Sequence, residues 1–165
     1  MKATGASGGR VQSALLVPVP AAEPLVRRWR LAYDPVAPEG VPAHITLIVP
    51  WLPPDRLVEP DFARLADVLA DVKAFDFCLA TVGWFGRRVL WLGPEPAEPF
   101  LALTARLAAR FDTPPWGDEF DEVVPHLTVG HDPAWPGRAP AGAAEAGRGG
   151  RAPAGAAEAG GGGRV

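Results

Sequence analysis

Two stretches of the chain alternate apolar and polar residues around a histidine: Pro-Ala-His-Ile-Thr-Leu at 42–47 and Val-Pro-His-Leu-Thr-Val at 124–129. A period of two marks a β-strand, in which residues i and i+2 share a face. Ile45, Leu47, Leu127 and Val129 are therefore expected to face a core, and His44, Thr46, His126 and Thr128 the opposite side. The same reading gives strands over 12–19, 75–84 and 88–92, the last two joined by a tight connection at Phe85-Gly86-Arg87. The His strands span 43–49 and 123–130. Helical spacing marks 23–33, with Leu25, Trp29 and Ala32 on one stripe, and 60–72, with Phe62, Leu65, Leu69 and Val72. A third helix is expected over 97–111, with Phe100, Leu103, Leu107 and Phe111. The order is β-α-β-α-β-β-α-β, and each His strand follows a helix and a proline-containing loop, which suggests two related halves facing one cleft.

The pattern ends after Pro136. Gly137–Gly147 recurs residue for residue at Gly150–Gly160, and the segment from 137 onward holds no Leu, Ile, Phe, Trp, Tyr or Met. Such a composition buries too little apolar surface to offset the entropy of ordering it. The expected organisation is a disordered N-terminus over 1–11, one domain over 12–136 and a disordered low-complexity tail over 137–165. The 165 residues suffice for one domain of ordinary size. Residues 1–136 carry 12 basic and 17 acidic side chains, net −5, and the tail is net +2. A domain so charged is a poor candidate for gripping long nucleic acid through many phosphates. Nothing reads as a leader peptide or a membrane span, so the expectation is a cytoplasmic, monomeric protein with no membrane partner. The single cysteine, Cys78, excludes an internal disulfide and reads as a small, inert core residue.

Two of the six threonines stand two residues after a histidine. Imidazole titrates near neutrality and can both take and give a proton, so two of them on either side of one phosphorus can move both protons of a phosphodiester reaction without metal. A hydroxyl on the same face can donate to a non-bridging oxygen. His44 and His126 are thus candidate acid/base residues, with Thr46 and Thr128 as candidate phosphate ligands. Arg87 and Arg88 in the hairpin connection are candidate phosphate contacts. Trp84, Phe85 and Trp116, in or beside loops, are candidates for stacking a base. Metal catalysis is disfavoured: His126 and His131 fall on opposite faces of a strand, and no metal-binding signature occurs. His131 reads as a solvated loop residue, and Asp118, Glu119, Asp121 and Glu122 as a solvated acidic loop. No serine nucleophile elbow and no phosphate-cradling glycine loop is present.

The paired motifs resemble those of the two-histidine (2H) phosphoesterase superfamily, and within it bacterial 2'-5' RNA ligase family proteins and RNA cyclic phosphodiesterases. The resemblance covers about residues 12–134 and is carried by 42–57, Val-Gly-Trp-Phe at 82–85, 96–104 and Val-Val-Pro-His-Leu-Thr-Val-Gly-His at 123–131. It implies an α+β, bilobed fold with two antiparallel sheets flanking a central cleft. It further implies metal-independent, cofactor-free chemistry on 2',3'-cyclic phosphates or 2'-5' linkages of a small nucleotide or RNA end. His44 and His126 would be the acid/base pair, and Thr46 and Thr128 would hold phosphate. Relatives continue after the second motif with another helix and closing strands, so the second lobe is expected to be incomplete at its C-terminus. The alternative left open is a non-catalytic nucleotide-binding module, or an inactive truncated remnant of that family.

Overall fold

Apolar spacing and proline placement set the helices. The computed structural model describes residues 12–114 and 122–131, together with the backbone of 163–164. Its elements are β1 (Leu15–Pro18), α1 (Glu23–Tyr33), β2 (His44–Ile48), α2 (Glu59–Ala70), β3 (Asp76–Phe85), β4 (Val89–Glu95), α3 (Glu98–Phe111), β5 (Leu127–His131) and the two-residue β6 (Gly163–Arg164). Each helix carries proline in its first turn, where the missing N–H has no partner to lose. In α2 the Asp61 carboxylate turns back to accept from the Val58 N–H at 3.2 Å, which satisfies one orphan donor of the helix start. Helix α3 ends at Asp112 in the left-handed region (φ 50°), and the Thr113 N–H closes onto the Ala108 carbonyl.

The strands form one sheet in the order β1-β2-β5-β4-β3-β6, with every neighbouring pair antiparallel. Two separate sheets were expected. Instead the β1-β2 ladder joins the β5-β4-β3 ladder through a narrow seam at Ile45 and Leu127. Sequence alternation tells which face of a strand is buried but not which strand lies beside it, so the joining was not legible. Helix α1 packs on β5 and helix α3 on β2. Each helix thus covers a strand from the other half of the chain, and the two halves interlock over a single core. Phe100, Ile45, Ile48, Leu107, Leu127 and Val19 are its most completely enclosed side chains. The Phe100 ring meets Phe77 and Phe75 edge-on at 5.0 and 5.2 Å, a favoured aromatic geometry.

The stripe foreseen for α3 is buried at all four positions. The other two helices differ. In α1 the buried residues are Val26 and Arg30, while Leu25 and Trp29 are exposed. Arg30 enters the interior because Asp34 and Glu23 accompany it, and an apolar pattern does not register an ion pair. In α2 the buried residues are Asp61 and Val68; Leu65 and Val72 pack at the margin, and Phe62 and Leu69 face outward. Cys78 is exposed rather than in the core, because its neighbours Phe77 and Leu79 take the inward positions of the strand. Residues 1–11, 115–121, 132–162 and 165, and with them Trp116, Asp118, Glu119 and Asp121, lie outside the described residues. Of the segment read as a tail, the backbone of Gly163 and Arg164 pairs with Phe77 and Asp76 at the outer edge of β3.

Among the described residues the buried core lies wholly between Val17 and Val129. Deleting 137–165 is therefore expected to change the unfolding free energy by less than about 0.5 kcal/mol, whereas Phe100→Ala should cost about 3–5 kcal/mol. Denaturant titration of both variants checks this, and a tail deletion as costly as Phe100→Ala would refute it.

Candidate active site

The seam builds the site. In an antiparallel pair, residues one step out from a paired position lie across from each other on the opposite face. With Ile45 against Leu127, His44 falls beside Thr128 and Thr46 beside His126. The two histidines stand on the diagonal, where backbone separations are about 7–8 Å. Ile45 and Leu127 are fully buried, so the core holds its side of the seam and presents the four polar residues on the other. The row extends in both directions: Pro18 pairs with His44, Thr128 with Trp91, and Trp91 with Gly83.

Each imidazole is fixed in the same way. His44 Nδ1 lies 2.7 Å from the Pro42 carbonyl, and His126 Nδ1 lies 2.7 Å from the Val124 carbonyl. A carbonyl oxygen only accepts, so the ring nitrogen facing it must carry the hydrogen. In the neutral ring the lone pair then resides on Nε2, at the far end of the imidazole. The two sites have the same design, a histidine bonded to the carbonyl two residues before it.

Their surroundings differ. Phe85 meets the His126 ring edge-on at 4.7 Å, and Trp91 lies 6.2 Å from it. This enclosure removes water from the imidazole and lowers its pKa below 6.5; the Val124 hydrogen bond opposes the shift, and the charge of nearby His44 adds to it.

Trp91 is the participant the sequence did not disclose. Its indole lies against the backbone of β3 and β4, and a methyl added at Gly83 would stand 2.2 Å from its Cζ2. Gly83 and Gly93 form the bed in which the ring rests, and Phe85 packs against it at 5.3 Å. The sequence signal was present as a tryptophan with a glycine two residues on, opposite a strand carrying another glycine, but only the register relates them. Of the aromatic residues singled out, Phe85 reaches the site and Trp84 points to the other face, paired with Leu90. Strand β3 runs through Phe85, so consecutive residues cannot share a face. Arg87 and Arg88 occupy the turn between β3 and β4, exposed, with Gly86 at φ 58° making the bend. His131 ends β5 and is exposed, as is Glu122. Among the described residues no cluster of three or more His, Cys, Asp or Glu is grouped to hold a metal ion, and no helix is long and apolar enough to cross a membrane.

The fold and this face define an α+β protein with a pair of His-x-Thr strands meeting on one antiparallel sheet. The chain belongs to the 2'-5' RNA ligase superfamily, whose family model matches residues 17–148. Among solved structures it is similar to that of E. coli LigT complexed with 3'-AMP, with 23% identity over 72% of this chain and 73% of that one and a TM-score of 0.47. No curated protein matches the chain.

Because folding holds His126 below its unfolded value of 6.5, stability is fully present above that pH. It declines as the pH drops further, where only the unfolded chain takes up the proton, and levels off below the folded value. His126→Gln should flatten this acid-side decline in denaturant titrations run from pH 8 down to pH 5; an unchanged slope would refute it. Gly83→Ala should displace the Trp91 ring and cost about 1–3 kcal/mol in the same assay.

Proposed function

We propose that the protein is a metal-independent phosphodiesterase or ligase that acts on a 2',3'-cyclic phosphate or 2'-5' linkage of a small nucleotide or RNA end. The observation that carries this reading is the matched pair of imidazoles. Both have Nδ1 tied to a carbonyl, both present Nε2 at the other end of the ring, and they sit diagonally across a seam with a threonine beside each. In the hydrolytic direction His126, kept neutral by its aromatic enclosure, takes a proton from the attacking water at Nε2. The water oxygen bonds to phosphorus as the bond to one ribose oxygen breaks. His44 gives a proton to that leaving oxygen. Thr46 and Thr128 donate to the non-bridging oxygens, where charge accumulates. In the ligating direction a ribose 5'-hydroxyl takes the place of water: His126 accepts its proton as its oxygen bonds to phosphorus, the bond to one oxygen of the cyclic phosphate breaks, and His44 gives that oxygen a proton. The Phe85 and Trp91 rings offer a surface for a nucleobase, and Arg87 and Arg88, just beyond Phe85, provide charge for a phosphate.

Membership of the superfamily supports this class of activity. The test is hydrolysis of 2',3'-cyclic nucleotides and 2'-5' linked dinucleotides in the presence of EDTA. His44→Ala and His126→Ala should each lower turnover by ~10²–10⁴ while nucleotide binding persists. A wild-type protein that binds these compounds without turning them over would instead be a nucleotide-binding module.

A further inference from the structure

The carbonyl that orients His44 belongs to Pro42, an exposed residue that precedes the buried Ala43. Val41 and Pro42 border a cavity of about 350 Å³ whose other walls include Arg27, Leu31, Ala37 and Gly40. Gly40 itself takes φ 92°, a left-handed conformation open to glycine. Packing anchors this segment at Ala43, which is enclosed in the core, while the Pro42 side is exposed, and hydrogen bonds fix the backbone there.

Those bonds exist on both sides of Pro42. The Arg30 guanidinium is 2% exposed and is seated on Asp34, with Nε at 3.0 Å and Nη2 at 2.8 Å from Oδ2. Its Nη1 then reaches the Val41 carbonyl at 3.2 Å. On the other side the Ala43 N–H donates to Glu23 Oε1, which also faces Arg30 Nη1 at 3.6 Å. The Val19 N–H donates to the Ala43 carbonyl at 2.7 Å. The residues immediately before and after Pro42 are thus clamped by one ion-paired group from α1. Pro42 has a ring-fixed φ of its own. Its carbonyl is left to receive the His44 Nδ1 hydrogen.

The geometry points to Arg30 and Glu23 as positioning residues that set the tautomer and direction of His44 by fixing the Pro42 carbonyl. This rests on the reading of His44 as an acid/base group only for its consequence in turnover; the clamp itself is a statement about the ring. A buried Arg–carboxylate pair is a weak source of net stability, and a fixed histidine is a reason for its presence that stability does not supply. Lysine could not replace Arg30, because a single ammonium cannot hold Asp34 as a fork and also reach Val41.

The experiment is ¹⁵N NMR of the histidine rings in the full chain, paired with steady-state kinetics on 2',3'-cyclic AMP. Glu23 is 28% exposed, so Glu23→Ala is the variant expected to fold. Wild type should show His44 as the Nδ1–H tautomer. Glu23→Ala should show a mixture of tautomers, with kcat lowered about 10–100-fold and KM nearly unchanged. Glu23→Gln, whose carboxamide oxygen still accepts from Ala43, should restore both signals, and Arg30→Lys should behave like Glu23→Ala. A wild-type tautomer and wild-type kcat in Glu23→Ala, with only the melting temperature lowered, would overturn the proposal. If wild type turns over no cyclic phosphate, the catalytic reading falls, while a tautomer change in Glu23→Ala still upholds the clamp.

Discussion

One antiparallel contact, Ile45 against Leu127, determines where everything else at the site can be. Among the described residues it is the one position at which the two ladders of the sheet are paired. Both side chains are fully buried, and burying residues of this size contributes roughly 1.5–3 kcal/mol each. That contribution goes into the hydrophobic core, yet its geometric effect appears on the opposite face. A shift of one residue in the seam would turn a histidine inward and an isoleucine outward, so core burial and site assembly enforce the same register.

The helices make this register hard to lose. Helix α1 lies against β5 and α3 against β2, so the first half of the chain covers the second and the reverse. Two lobes able to close independently would give the cleft a variable width. Interlocked halves share one core, running from Val17 to Val129 among the described residues, and separating the His strands would expose Ile45 and Leu127 to water.

The sequence made the strands and their faces plain where alternation was strict. His44 and Thr46, and His126 and Thr128, share a face because each lies two residues from its partner, and no tertiary information is needed for that. Helix α3 was legible for a similar reason, since Phe100, Leu103, Leu107 and Phe111 repeat at helical spacing and nothing charged intrudes. The stripes of α1 and α2 were misleading because Arg30 and Asp61 are buried with partners, at positions an apolar pattern assigns to solvent. The single sheet, the glycine bed under Trp91 and the separation of Trp84 from Phe85 depend on which strand lies beside which, and on where a strand ends. Those are properties of the assembled sheet rather than of any one segment.

The last question is why two identically tethered histidines should sit in unlike surroundings. Hydrogen bonding alone would make them equivalent, each with Nδ1 on a carbonyl two residues back. The aromatic wall of Phe85 and Trp91 breaks the tie by withdrawing water from His126. His44's own charge works in the same direction, because a cation there further disfavours a second one on His126. The asymmetry between the two rings thus follows from the placement of Phe85 and Trp91 beside one of them.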